Sequence, residues 1–207
     1  MQYPLVLNSF HNNLTLWIPN PELIKPTYDA LCLESSSTLF PFWAKLWPSS
    51  LALTLFLQKN IELVKNKKIV EVGAGIGLPS FSIASEAAEI TITDYSADAV
   101  DLMQKNIAHL GFKNIEAVFA DWNFFPEAIH AEIVLLSDTN YAPSNFQSLI
   151  KLIERYIKKG ATIIVATPER ITASPFIEQL HPFIIEKELI AITYNEALVT
   201  VGLFVLK

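Results

Sequence analysis

The sequence predicts an α/β fold, a parallel sheet covered on both faces by crossover helices. Three observations carry that prediction. From about residue 67 onward, short β-branched runs alternate with amphipathic stretches. The runs are apolar throughout rather than alternating, as strands buried on both faces must be. One run opens directly into a glycine-rich turn at residues 73–77 and then into a helical stretch.

Taken in chain order, Tyr3 to Ile18 reads as a small hairpin turning at His11-Asn12-Asn13. Pro19 to Pro41, rich in proline and serine, reads as a loop or lid, so residues 1–41 form an N-terminal extension and 42–207 the main domain. Ser49 to Lys59 is a helix with Pro48 at its start, where a missing amide hydrogen does no harm. Strands are predicted at Lys67 to Val72, Glu89 to Asp94, Asn114 to Phe119, Ala131 to Ser137 and Ala161 to Thr167. Helices fill the gaps at Leu78 to Ala88, Ser96 to Leu110 and Ser144 to Lys158. The last two are capped by Ser96 and by Ser144 or Asn145, and stopped by Gly111 and Gly160. Phe183 to Ile192 and Leu198 to Leu206 are β-prone runs split by Tyr194-Asn195-Glu196, too short a connection for a helix, so they pair as an antiparallel hairpin.

Composition narrows the functional classes. A chain of 207 residues that is 51% hydrophobic can bury one sizeable core, which excludes global disorder. A net charge of -6, with Arg155 and Arg170 the only arginines, argues against a nucleic-acid footprint and for a basic protein segment or a small molecule as partner. The single cysteine, Cys32, excludes an internal disulfide and a cysteine-built zinc site, and suits a reducing cytoplasm. His11, His109, His130 and His181 are scattered without ligand spacing, so no metal site is expected. No basic leader precedes an apolar stretch, and no apolar run approaches the roughly 20 residues that span a bilayer, so no membrane partner is expected.

The densest motif is Glu71-x-Gly73-x-Gly75-x-Gly77 at a strand end. Glycine tolerates positive φ and lets a ligand approach the backbone closely. A dinucleotide fingerprint places its third glycine three positions after the second, whereas Gly77 follows Gly75 by two, which weakens a hydride-transfer reading. The spacing resembles the first motif of class I S-adenosylmethionine-dependent methyltransferases, whose loop, with Ala74, cradles the methionine portion of the cofactor. Farther along, Thr93-Asp94-Tyr95 ends the second predicted strand. The two oxygens of Asp94 suit the two donors of a ribose diol, or Asp94 caps the helix starting near Ser96. Beyond the third strand, Asp121 can accept from the exocyclic amine of adenine and Trp122 can present its ring to the base, or Trp122 is core.

Together these motifs resemble the seven-strand protein-lysine methyltransferase group, which includes sequences labelled nicotinamide N-methyltransferase-like. The resemblance covers about residues 42–207 and is carried by Trp47-Pro48-Ser49-Ser50, Glu71 to Gly77, Thr93-Asp94-Tyr95, Asp121-Trp122 and Asp138-Thr139-Asn140-Tyr141. It implies a Rossmann-like, doubly wound sheet of seven strands with the last antiparallel. It also implies S-adenosylmethionine as cofactor and S-adenosylhomocysteine as product, with Trp47, Gly73, Ala74, Gly75, Asp94, Trp122 and Ser137 lining the cofactor pocket. Ser137 stands where the family often has alanine, and nothing before Phe42 matches.

Asp138 and Tyr141 follow the fourth strand, at the carboxyl edge where ligands of open α/β sheets sit, and are the expected catalytic pair. An attacking amine must be neutral, against a lysine pKa of about 10.4. Asp138 is therefore assigned to steering the amine and Tyr141 to orienting its lone pair, with helix capping as the alternative for Asp138. The absence of the two prolines of a Pro-Pro-Tyr motif here favours, by family analogy, an aliphatic amine over an amide or nucleobase amine. Phe42 and Trp43, in an aromatic cluster with Phe40 and Trp47, either pack or border an acceptor channel, since aromatic faces attract cationic amines. The leading reading is methylation of a lysine in a protein substrate. A small-molecule amine methyltransferase and a non-catalytic cofactor-binding scaffold are the alternatives.

Overall fold

The computed structural model of the chain describes residues 2–169 and 173–207. An antiparallel hairpin of β1 (Leu5–Ser9) and β2 (Thr15–Pro19) comes first, followed by α1 (Pro21–Glu34) and α2 (Pro48–Lys59). Strands and helices then alternate: β3 (Lys68–Val72), α3 (Leu78–Ser82), β4 (Glu89–Asp94), α4 (Ala97–Leu110) and β5 (Ile115–Phe119). The second half runs through β6 (Ile133–Ser137), α5 (Phe146–Lys158), β7 (Thr162–Pro168), α6 (Ser174–Leu180), β8 (Ile184–Tyr194) and β9 (Ala197–Leu206). The main sheet has seven strands in the order β5-β4-β3-β6-β7-β9-β8. Its last strand in sequence, β9, is antiparallel to both neighbours, β7 and β8, and runs opposite to the other six. This is the doubly wound sheet expected, with β3 pairing β4 on one side and β6 on the other. The order of strands reverses there, which makes the carboxyl ends of β3 and β6 a topological switch point.

Apolar residues on both faces of the central strands β3, β6 and β7 explain the layers. Ile69, Ile92, Leu135 and Ile164 pack against Leu53 and Phe56 of α2, Phe81 of α3 and Met103 of α4. The intervening residues Val70, Val134, Leu136 and Val165 pack on the opposite face against α5 and α6. Leu149, Leu152, Ile153 and Tyr156 of α5 recur at helical spacing and are all buried, each stabilising the fold by about 1.5–3 kcal/mol. The N-terminal hairpin is latched to α4 by the buried amide of Asn106, which accepts from the Trp17 amide at 2.8 Å and donates to its carbonyl at 2.9 Å. Among the described residues no helix is long and apolar enough to cross a membrane.

The turns behave as their residues dictate. Asn12 and Asn13 adopt positive φ in the first hairpin, and Asn195-Glu196 forms a two-residue turn with φ of 48° and 64° in the second. Gly111 ends α4 at φ 73°.

Three expectations are corrected. The segment 19–41 is not all loop: residues 21–34 are the helix α1. Its prolines misled because Pro21 occupies the first turn, while the Asn20 side chain caps it by accepting from the Glu22 amide at 3.1 Å. Helix α3 stops at Ser82 rather than Ala88. Ile83 leaves helical geometry at φ -116° and ψ 6°, and the turns that follow are pinned by the Ala84 and Ala87 carbonyls accepting from the Asn114 side chain and the Glu86 carbonyl accepting from the Asn66 amide. Neither Ser96 nor Asn145 caps its helix through its side chain. Asp94 takes the Ser96 amide instead, and a 3-10 turn at Pro143–Asn145 moves the start of α5 to Phe146.

Candidate active site

Strand β3 ends in the glycine turn, with Gly73, Gly75 and Gly77 at φ of 64°, 56° and 78°. A Cβ on Gly75 would lie 2.9 Å from the Trp43 carbonyl oxygen, and one on Gly73 would lie 3.0 Å from the Trp122 ring and 3.1 Å from Thr139. Only glycine satisfies both the left-handed backbone and this close packing. The turn is fixed from β4, since the Ala74 amide donates to the Thr93 carbonyl at 2.8 Å and the Gly75 amide to Asp94 Oδ2 at 2.9 Å.

Asp94 is buried and accepts through both oxygens, Oδ1 taking the Ser96 amide at 2.9 Å. Burial pushes its carboxyl above the usual range, and the amides of Ser96, Gly75 and Tyr95 partly offset that rise. A carboxylate has about four acceptor positions, so capacity remains for further donors beyond these amides. Tyr95 and Trp122 stand beside it with ring centroids 6.3 Å apart.

Strand β6 ends at Ser137, and Asp138 turns the chain with φ 54°, its amide donating to the Ala166 carbonyl at 2.9 Å. Asp138 is buried and does not cap the following helix, which begins eight residues later at Phe146. The Tyr141 ring stacks on Phe42 at 5.4 Å between centroids. Burial pushes the Tyr141 phenol up to about 12, helped by Tyr95 and Asp94 nearby. The 3-10 turn Phe42–Ala44 lies across the mouth, held by the Trp47 indole N–H donating to the Phe42 carbonyl at 2.9 Å.

These elements surround one cavity that opens to solvent at its mouth. It is lined by Gly73, Ala74, Gly75 and Gly77 from the first turn and by Asp94, Tyr95 and Trp122 from the next two strand ends. Ser137, Asp138 and Tyr141 line it after β6, and Phe42, Trp43 and Trp47 from the segment before α2.

Two expected cofactor residues do not line this cavity. Glu71 is buried behind the turn, where its carboxylate accepts from the Ser80 amide at 3.1 Å and from the Ser80 hydroxyl, so it supports α3 rather than facing the cavity. Asp121 spends Oδ1 on the Asn123 amide and side chain as the cap of a short turn. In both cases a backbone donor takes a carboxylate oxygen, two residues on for Asp121 and across the turn for Glu71. Lys45, Ser50, Ile76, Leu78 and Thr139 also line the cavity and were missed. Lys45 and Ser50 stood within the aromatic and Trp-Pro-Ser-Ser segment already singled out, and Thr139 within the motif after β6, so proximity in sequence was the available signal.

Comparison with known proteins places these features together. A family model described as lysine methyltransferase matches residues 36–183, a span that contains every cavity residue named above. A protein N-terminal and lysine N-methyltransferase of Schizosaccharomyces pombe is 30% identical over 164 residues, covering 72% of this chain and 61% of that protein. A histidine protein methyltransferase 1 homologue of Dictyostelium discoideum is 28% identical over 130 residues, covering 59% of this chain and 42% of its own length. The chain thus spans about half the length of these curated relatives. In fold, it is similar to the crystal structure of a precorrin-6y C5,15-methyltransferase from Geobacter metallireducens, with a TM-score of 0.60 at 13% identity, over 74% of this chain and 86% of that one.

Proposed function

Because this chain belongs to the lysine methyltransferase family, we propose that it transfers a methyl group from S-adenosylmethionine to the side-chain amine of a lysine in a protein substrate. The observation that carries the reading is the meeting of the glycine turn and Asp94 with Asp138 and Tyr141 around one cavity. The residues fit the cofactor. Asp94 keeps acceptor capacity for ribose hydroxyls, the glycine turn lets the methionine portion approach the backbone, and the rings of Trp122 and Tyr95 suit a purine.

When bound, S-adenosylmethionine supplies a methyl carbon activated by a sulfonium and open to in-line displacement. The protein's share is positioning. Asp138 attracts and orients the lysine ammonium. The open mouth lets that ammonium lose its proton to water, and the rings of Phe42 and Tyr141 desolvate the amine enough to favour its neutral form. Tyr141 keeps its own proton throughout the physiological range, so it is not a base. Its phenol oxygen accepts from an amine N–H and fixes the lone pair along the attack line.

The test is to incubate the protein with methyl-labelled S-adenosylmethionine and a lysate, hydrolyse the labelled fraction and separate the amino acids. Label in methyl-lysine is the expected outcome. Label in methyl-histidine, or in small metabolites alone, would overturn the lysine assignment.

A further inference from the structure

We propose that Lys45 is a methylation target of its own chain, a modification in cis that rests on the methyltransfer reading above. Among the described residues, Lys45 is the only lysine lining the cavity that also holds the glycine turn, Asp94 and Tyr141. The backbone keeps it there. The Trp43 carbonyl, two residues earlier, packs against Gly75, and Phe42, three residues earlier, stacks on Tyr141. Lys45 thus follows a turn wedged between the proposed donor end and the proposed acceptor end of the site. Its ammonium lies 5.2 Å from the Trp47 ring centroid and 5.7 Å from that of Phe40, a pair of aromatic faces of the kind that receives amines and methylated amines. It forms no ion pair among the described residues, so a flexible four-carbon stem can swing it from the rings into the cavity.

The step balances without another reactant. The Lys45 ammonium gives one proton to water, and its lone pair forms the N–C bond to the methyl carbon of the sulfonium donor. The C–S bond breaks with its electron pair left on sulfur. The products are an N-methylated ammonium, a thioether and the released proton. The methylated group keeps its charge and returns to Phe40 and Trp47.

The test uses the full chain. Its affinity for S-adenosylhomocysteine is first measured by calorimetry, and the chain is then incubated with deuteromethyl S-adenosylmethionine and no other acceptor. Peptide mass spectrometry should place the label on Lys45, at a rate per molecule unchanged by dilution, and Lys45→Arg should lose it. If S-adenosylhomocysteine binds and lysate proteins accept label while Lys45 does not, the inference fails and the methyltransfer reading stands. A rate that falls on dilution, or equal labelling of Lys45→Arg at other positions, also overturns it. Absence of calorimetric binding overturns both.

Discussion

Two turns leave neighbouring strands at the switch point, and they solve the same backbone problem with opposite chemistry. After β3 the chain turns at Gly73 with φ 64°, and after β6 it turns at Asp138 with φ 54°. The first uses glycine, which reaches this region without steric cost, and so offers only backbone to whatever approaches. The second places an aspartate there, a residue type that tolerates the left-handed region better than most but still pays some strain. Packing explains the choice. Beside the glycine turn the Trp43 carbonyl and the Trp122 ring leave no room for a side chain, whereas the turn after β6 must present side chains to the cavity. One turn is built for close approach and the other for chemistry. An observed strain at a cavity wall is therefore a pointer to function at Asp138.

The strongest way to break that contrast is Gly75→Val. The variant forces a β-branched residue to φ 56°, about 1–2 kcal/mol of backbone strain, and drives its Cβ to 2.9 Å from the Trp43 carbonyl. Titration with S-adenosylhomocysteine should weaken by about a thousandfold or more, ~4 kcal/mol. In the other turn, Asp138→Asn keeps a residue that tolerates the same φ, so cofactor titration should stay near that of the parent while turnover falls. Binding retained in Gly75→Val, or lost in Asp138→Asn, would erase the division of labour between the turns.

The same contrast governs what the sequence made legible. The glycine turn announces itself, because Gly73, Gly75 and Gly77 follow an apolar strand at a spacing that few other structures require. The layered sheet was equally readable, since β3, β6 and β7 carry apolar residues on both faces, while β4 alternates Ile90 and Ile92 with Thr91 and Thr93. Helix α1 was hidden because Pro21 and Pro26 read as loop residues, and only the side-chain cap of Asn20 reveals that the first of them starts a helix. The surroundings of Glu71 were hidden for a related reason. Its spacing to the glycines suggested the cofactor, but its neighbour in space is Ser80, nine residues away on α3. Lys45 was passed over although it stands between Trp43 and Trp47, because a lone lysine among aromatic residues reads as a solvated side chain until the turn before α2 is seen to fold over the carboxyl ends of the strands.

Glu71 sharpens the comparison through pH. It precedes the glycine turn on β3, one carboxylate oxygen serves Ser80 and the other is buried without a partner. Burial pushes its carboxyl from 4.5 to about 7. The folded state therefore holds this proton more tightly than the unfolded chain does. Glu71 contributes stability that is fully present below about pH 4.5 and lost as pH rises through about 7, on the order of 3 kcal/mol in all. Asp94 shifts in the same direction, so both carboxylates under the glycine turn act alike. Glu71→Gln keeps a carbonyl acceptor for Ser80 without the charge. Thermal denaturation between pH 5 and 8 should show the parent losing stability more steeply than the variant. Parallel curves would remove Glu71 as the titrating group beneath the turn.

The smallest expected effect lies across the cavity, at Tyr141→Phe. The ring stack on Phe42 survives the change, and so does the aromatic wall that desolvates the amine. What disappears is a phenol oxygen whose proton stays in place up to about pH 12, an acceptor for one amine N–H. Turnover should fall about tenfold, ~1.4 kcal/mol, with S-adenosylhomocysteine affinity unchanged. The pH profile of the residual activity should keep its shape, because a group that does not titrate in the measured range cannot set either limb. A basic limb that vanishes with the hydroxyl would instead make Tyr141 the proton acceptor, and the turn after β6 would then supply a base as well as a grip on the amine.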